Sequence, residues 1–338
     1  METAQTTLQG LLFIDDEEGV RRSLLRALKH EPYNVYAATN GQEGIDFIKE
    51  HTREIATVVS DYRMPGLDGL ETLKIIGGIN PEITRIILTG YATMEAAINA
   101  TNAGIDGFLT KPFDNVELRA KIREIWIRKH LRQFVSEQIY AEINRSPTSL
   151  APRLNEVTIL FSDIRNFTHM SQHVTLQELV DFLNNDYFTP MGDIAYQHQG
   201  TLDKHIGDSL MVIFGSPIAR PDDAVRAVRA AVAMQRSALE IDARLQSHPH
   251  LRLQTGIGIA SGKVFSGIMG SLRKKEFTSV GMAVNIASRL QSLARGNEIL
   301  FDEYTMEKVG AEIQATPLPA VSVKGLDLPI PIFSIKVG

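Results

Sequence analysis

Between residues 10 and 112 the chain alternates short β-branched runs with segments of helical period. The runs LLFID, NVYAA, IATVVSD, TRIILTG and GFLTK are too short and too uniformly apolar for surface helices. The stretches between them repeat apolar positions at intervals of three and four. Five such strand–helix units predict a doubly wound α/β domain around a five-stranded parallel sheet. Sheets of this kind collect functional groups at the carboxyl ends of their strands. Here those ends carry Asp15 and Asp16, Asp61, Thr89 and Lys111.

From Asp114 the helical pattern runs past a normal length. Val116, Leu118, Ile122, Ile125, Leu131, Phe134, Ile139 and Ile143 form an apolar stripe whose spacing becomes irregular after Ile125, which breaks a strict heptad. The pattern predicts one long helix, or two nearly in line, over residues 114–150 and ending near Ser146-Pro147. Burial of the stripe against a second copy would make a parallel dimer. The alternative is a helix packed back on its own domain. The basic residues between Arg119 and Arg132 read as the solvated face of this helix.

The remainder, residues 151–338, reads as α+β. The predicted strand segments are VTILFSD, GTLDKHI, SLMVIFG, RLQTGIGIA, KVFSGIMG and EILF, with a terminal hairpin after Pro317. Helices are predicted over Leu176 to Tyr196, Asp222 to Arg244 and Met282 to Ala294. Gly207-Asp208, between two apolar runs, fits a hairpin turn that sets Asp208 beside Asp163 at one sheet edge.

Composition narrows the chemistry. The 338 residues suffice for about two domains, and 43% hydrophobic with 22% charged is ordinary globular material. With no cysteine, disulfides, thiolate metal sites and cysteine nucleophiles are excluded. A net charge of −5 argues against a nucleic-acid partner, and no helix-turn-helix signal follows residue 113. No run is apolar enough to enter a bilayer and the N-terminus lacks signal-peptide features, so a cytoplasmic location is expected.

In the first domain, three carboxylates brought together would repel unless a cation sat among them, and Mg²⁺ suits an oxygen-rich cluster. One carboxylate can then attack a phosphoryl donor to give an acyl phosphate. Lys111 can pair with the new charge and Thr89 can donate a hydrogen bond to it. The segments FIDDEE, SDYRMPGLDG, ILTGYA and FLTKPF resemble the receiver domain of response regulators over residues 8–125. The resemblance implies that Asp61 is the phosphoacceptor, and that Asp15, Asp16, Asp61 and the Arg63 carbonyl hold Mg²⁺. It further implies that Thr89 and Phe108 are the switch pair, that Lys111 senses the phosphate with Lys111–Pro112 cis, and that a histidine kinase or phosphotransfer protein is the donor.

In the second domain, VTILFSDIRNFT delivers Asp163 from a strand into a helix start. KHIGDSLM repeats the arrangement with Lys204 and Asp208, and FTSVGMAVNIASRL supplies Thr278, Asn285 and Arg289. Asn285 and Arg289 share a helix face. Together the three segments resemble class III nucleotidyl cyclases, over roughly residues 130–338. Cyclisation of a nucleoside triphosphate needs the 3′-hydroxyl to attack the α-phosphorus as pyrophosphate leaves, and two cations, Mg²⁺ or Mn²⁺, serve both halves. Asp163 and Asp208 are the carboxylates placed to hold them, with the Ile164 carbonyl as a further ligand. The N–H groups of Arg165, Asn166 and Phe167 are candidates to hold phosphate. Arg289 is placed to stabilise charge developing at the α-phosphate.

The family resemblance implies that Lys204 and Thr278 face the purine. Lysine donates to an adenine ring nitrogen and threonine accepts from the exocyclic amine, so ATP is the expected substrate. Thr278 is similar to a subclass associated with bicarbonate. The resemblance also gives Asn285 to the ribose and Lys324 to the terminal phosphates. Met282 and Ile268 depart from the pattern of relatives, which bears on the orientation of the Asn285 helix. Family geometry assigns the metal carboxylates of one chain and the base and transition-state groups of another to each site of a homodimer. The competing readings are a guanylate cyclase and a non-catalytic module that binds nucleotide or partner proteins.

Overall fold

The computed structural model describes residues 10–29, 34–90, 104–132, 134–145, 150–271, 273–323 and 328–337. The chain divides into two compact units, Met1–Phe134 and Val135–Gly338.

In the first unit, β1 (Gly10–Ile14), β2 (Val35–Ala38), β3 (Ile55–Asp61), β4 (Thr84–Thr89) and β5 (Gly107–Thr110) form a parallel sheet in the order β2-β1-β3-β4-β5. The five predicted strands are these five. The connecting segment at residues 91–103 lies outside the described residues. Helices α1 (Glu18–Ala27), α2 (Gly41–Glu50) and α3 (Gly69–Ile79) cover the sheet, and Asp68 caps α3 by accepting from Glu71 N at 2.8 Å. Leu12, Ile14 and Val58 face one core and Leu11, Phe13 and Val59 the other, as expected for strands buried on both faces.

The helical stretch predicted over residues 114–150 divides into two helices, α4 (Asn115–Arg132) in the first unit and α5 (Glu137–Arg145) in the second. Leu118, Ile122 and Ile125 of α4 are buried against the first unit's own core. At roughly 1.5–3 kcal/mol for each large side chain, that burial decides for the helix packing back on its own domain. The rest of the stripe behaves differently: Val116, Leu131 and Phe134 are exposed, whereas Ile139 of α5 is buried. The basic face is also not simply solvated. Arg119 donates to the carbonyl of Ala27, Arg128 to that of Asp106, and Lys129 to those of Pro81 and Ile83, which staples α4 to its domain.

The second unit is a mixed sheet in the order β12-β13-β11-β9-β6-β8-β7, with β10 added to β9. Its strands are β6 (Arg153–Ile164), β7 (Thr201–Ile206), β8 (Ser209–Phe214), β9 (Thr255–Gly270), β10 (Lys275–Val280), β11 (Glu298–Asp302), β12 (Thr316–Val321) and β13 (Ile330–Lys336). The predicted strands RLQTGIGIA and KVFSGIMG are one continuous β9, and β10 was not predicted. The helix predicted over Leu176 to Tyr196 is three pieces: α7 (Leu176–Asp181), a π-helical segment (Phe182–Phe188) and α8 (Thr189–Gln197). A short α6 (Phe167–Ser171) precedes them, while α9 (Asp223–Arg244) and α10 (Met282–Leu293) follow the predicted ranges. The largest core cluster joins α9 to β6, β8, β9 and β11.

Candidate functional site

At the carboxyl end of the first sheet, Asp15 follows β1, Asp61 closes β3 and Lys111 follows β5. Lys111 Nζ donates to both carboxylates, reaching Asp15 Oδ2 at 3.2 Å. The other oxygen of each is also held: Asp15 Oδ1 accepts from Glu17 N at 2.9 Å, and Asp61 Oδ2 from Arg63 N at 3.0 Å. Burial pushes the Asp15 carboxyl above the ordinary range, against the Glu17 N–H and the Lys111 charge. Burial alone would lower the Lys111 pKa, but its hydrogen bond to Asp61 and the charge of Asp15 raise it. Thr89 is buried at the end of β4 and Phe108 packs half-buried on the core. The Lys111–Pro112 bond is cis. Asp16 is exposed.

In the second unit, Asp163 lies at the end of β6, paired in register with Ser209 of β8. Gly207, at φ +64°, makes the turn between β7 and β8 that carries Asp208. Asp163 and Asp208 line one cleft of about 710 Å³ with residues of the 164–169 loop. Burial pushes both carboxyls up. The charge of Asp208 adds to the effect at Asp163, and Arg165 opposes it at both. Two carboxylates that are costly to ionise together are a donor set that a hard divalent cation fits. Among the described residues no three His, Cys, Asp or Glu side chains form a group able to hold a metal. The fit in both units therefore rests on carboxylate pairs completed by other oxygens.

Arg165 requires a correction. Its N–H donates to Gln254 O at 2.7 Å, extending the β6–β9 ladder, so the candidate phosphate donors narrow to Asn166 and Phe167. Its side chain instead donates to Asp163 Oδ1 at 2.6 Å. Asn166 takes a left-handed conformation at φ +59° ahead of α6. Behind the cleft, the fully buried Tyr187 of the π-helical segment donates to Ser162 Oγ at 3.1 Å, bracing the residue before Asp163. Sequence reasoning missed Tyr187, whose partner lies 25 positions away.

Lys204 and Thr278 come together in a second cluster. Lys204 Nζ donates to Glu276 Oε2 at 2.8 Å, and Thr278 Oγ1 donates to Asp203 Oδ2 at 2.8 Å. Burial works against the Lys204 charge, but the Glu276 hydrogen bond and the Asp203 carboxylate outweigh it and raise the Lys204 pKa. Glu276 is drawn down to about 2 by Lys204 and Lys274. The Asp203 side chain has no solvent exposure, and burial pushes its carboxyl up to about 6 against the Thr278 hydrogen bond. Neither Asp203 nor Glu276 stood out in the sequence.

Asn285 and Arg289 lie on the exposed face of α10, whose opposite face buries Ala283, Ala287 and Leu290. The helix sits tightly on β9 because position 258 is glycine: a Cβ there would lie 2.2 Å from Ala287 O and 2.1 Å from Gln291 N. The departures at Met282 and Ile268 therefore leave Asn285 and Arg289 on one face. Lys204, Thr278, Asn285 and Arg289 all lie outside the lining of the Asp163–Asp208 cleft. Lys324 lies outside the described residues.

A family model described as "Adenylate and Guanylate cyclase catalytic domain" matches residues 150–336, and one described as "Response regulator receiver domain" matches residues 11–123. The chain is 34% identical over 187 residues to "Adenylate cyclase, terminal-differentiation specific" of Dictyostelium discoideum, covering 54% of this chain but only 9% of that protein. It is similar to the crystal structure of the adenylyl cyclase CyaB from P. aeruginosa, at 32% identity and TM-score 0.54, covering 56% of this chain and 97% of that one. It is also similar to the crystal structure of the guanylyl cyclase Cya2, at 34% identity and TM-score 0.52, covering 55% and 95%. The chain thus belongs to the adenylate and guanylate cyclase catalytic domain family and carries a response regulator receiver domain ahead of that catalytic domain.

Proposed function

We propose that the chain is a response regulator whose output converts ATP to 3′,5′-cyclic AMP and pyrophosphate, at sites shared between two copies and under the control of phosphorylation at Asp61. The observation that carries this reading is the separation of the two clusters. Asp163 and Asp208 share one cleft, while Lys204 and Thr278 lie in another cluster and Asn285 and Arg289 on a helix face outside that cleft. A single chain therefore presents two half-sites, and a second copy related by two-fold symmetry supplies the missing half of each. Leu154, Phe265 and Val280 support this pairing. They are cross-strand neighbours on β6, β9 and β10, and are 58%, 55% and 60% exposed. Such an apolar row on the strand that carries Thr278 fits burial against a partner.

Asp163 and Asp208 would hold two divalent cations, Mg²⁺ or Mn²⁺, which when bound would lower the pKa of the 3′-hydroxyl and neutralise charge on the departing pyrophosphate. Lys204 donates to a ring nitrogen of the purine and Thr278 accepts from the exocyclic amine. Asn285 orients the ribose. Arg289, exposed and without a hydrogen bond among the described residues, is available to the α-phosphate as its charge grows. The 3′-oxygen forms its bond to phosphorus as the bond to pyrophosphate breaks, and its proton passes to water. In the receiver, Lys111 would hold the acyl phosphate formed on Asp61.

The test is purified protein with divalent cation and either ATP or GTP. The reading predicts cyclic AMP with ATP strongly preferred. Cyclic GMP as the main product would make it a guanylate cyclase, and no cyclic product from folded dimer would leave a binding module.

A further inference from the structure

Asp203 is the extra residue of a β-bulge. In the β7–β8 pairing Leu202 faces Val212 and Lys204 faces the adjacent Met211, so Asp203 has no partner position. In a regular strand, neighbours 203 and 204 would project to opposite faces. The bulge re-aims them into one cluster, Asp203 on Thr278 and Lys204 on Glu276, two residues apart on β10. The carboxylate is kept there at a cost. Its side chain is fully buried, Lys204 Nζ stays 3.8 Å away, and Asp203 Oδ1 has no hydrogen-bond partner among the described residues.

We propose that Asp203 is a specificity-positioning residue, which selects adenine over guanine by consuming the Thr278 hydroxyl proton and leaving Oγ1 able only to accept. This rests on Thr278 reading the base, as proposed above. A hydroxyl has one proton and two acceptor lone pairs, and an ionised carboxylate can only accept. With its proton fixed on Asp203 Oδ2, Thr278 welcomes the 6-amino group of adenine and opposes the 6-oxo group of guanine. Lys204, a donor only, complements the unprotonated N1 of adenine and not the N1–H of guanine. Without Asp203 the hydroxyl could rotate to donate, and Thr278 would serve either base.

The test measures kcat/KM for ATP and GTP in the full-length protein. Asp203→Asn presents an amide that can donate to Oγ1 and turn the hydroxyl proton toward the base, so the ATP:GTP ratio should fall by roughly tenfold, the scale of one mismatched hydrogen bond. Asp203→Ala, which frees the hydroxyl, should lower the ratio less and serves if Asp203→Asn does not fold. Thr278→Val should lower the ratio as well, and Asp203→Asn added to it should change nothing further. If Thr278→Val lowers the ratio and Asp203→Asn does not, the role of Asp203 is overturned and base reading by Thr278 stands. If Asp203→Asn acts equally in the Thr278→Val background, it does not work through Thr278 and the proposal again fails. An unchanged ratio in Thr278→Val overturns the base reading itself. Should Asp203→Asn turn over neither nucleotide, equilibrium binding of ATP and GTP to the folded dimer reads the same ratio, and an unchanged one overturns the proposal.

Discussion

Lys204 and Glu276, 72 positions apart in sequence, stand 2.8 Å from nitrogen to oxygen. Glu276 thereby fixes the lysine proposed to meet the purine while using only one of its three donors. Because the pair is substantially exposed, its worth is small and is screened by salt. Glu276→Ala should therefore raise KM for ATP by up to about fivefold with kcat nearly unchanged. Steady-state kinetics at low and high ionic strength checks this: the difference from wild type should shrink with salt. A loss confined to kcat would contradict the assignment.

Removing one metal carboxylate should act on a different quantity. Asp163→Ala takes away half of the cation-holding pair and should lower kcat on the order of 10³-fold or more, equivalent to several kcal/mol of transition-state stabilisation. Divalent-cation binding by calorimetry should weaken in parallel, while circular dichroism and dimer mass stay unchanged. Full cation affinity in this variant would show that Asp163 is not a ligand.

The switch is testable through Asp61. Lys111 already bridges Asp15 and Asp61, so modification of Asp61 must rearrange that contact. An acyl-phosphate donor or beryllofluoride should change the cyclase rate of the wild type and leave Asp61→Ala unmoved. Equal responses in both would place regulation elsewhere.

Asp203 makes a pH prediction. Its folded pKa of about 6 lies above the ordinary Asp value near 4, so between those values the folded state binds more protons than the unfolded one. Stability from this group is greatest at low pH and is lost as pH rises through about 6, by about 3 kcal/mol in all for a shift of that size. Asp203→Asn removes the dependence. In urea unfolding of the cyclase unit, the stability of the variant relative to wild type should rise from pH 4 to pH 7 and then level off. A flat difference would contradict a buried ionised Asp203.

Strands and helices with strong periodicity were legible. Met282 to Ala294 was predicted and Met282–Leu293 is observed, because Ala283, Ala287 and Leu290 mark one face at helical spacing. The β10 run KEFTSV was missed because its strand order depends on pairing with β9, and little apolar alternation advertises it. Strand β9 reads in the sequence as two strands broken at Ser261-Gly262, a pair that resembles a turn but is held extended along β6. The connector shows a different limit. Periodicity identified Leu118, Ile122 and Ile125 as buried positions, but a stripe does not say which surface covers it. Among the site residues, Asp163, Asp208 and Lys204 stood in short contiguous motifs. Asp203 was invisible because its role depends on a bulge and on Thr278, 75 positions away.

Sites shared by two chains can be tested by complementation. Asp208→Ala and Arg289→Ala homodimers should each be inactive, since each lesion falls in both of their sites. In the mixed dimer both lesions fall in one site. The other keeps Asp163 and Asp208 from the Arg289→Ala chain opposite Lys204, Thr278, Asn285 and Arg289 from the Asp208→Ala chain. Random equal assembly makes about half the dimers mixed, each with one working site of two, so co-expressed chains should recover roughly a quarter of wild-type cyclic AMP formation. A mixed dimer confirmed by mass that shows no recovery would contradict the shared site.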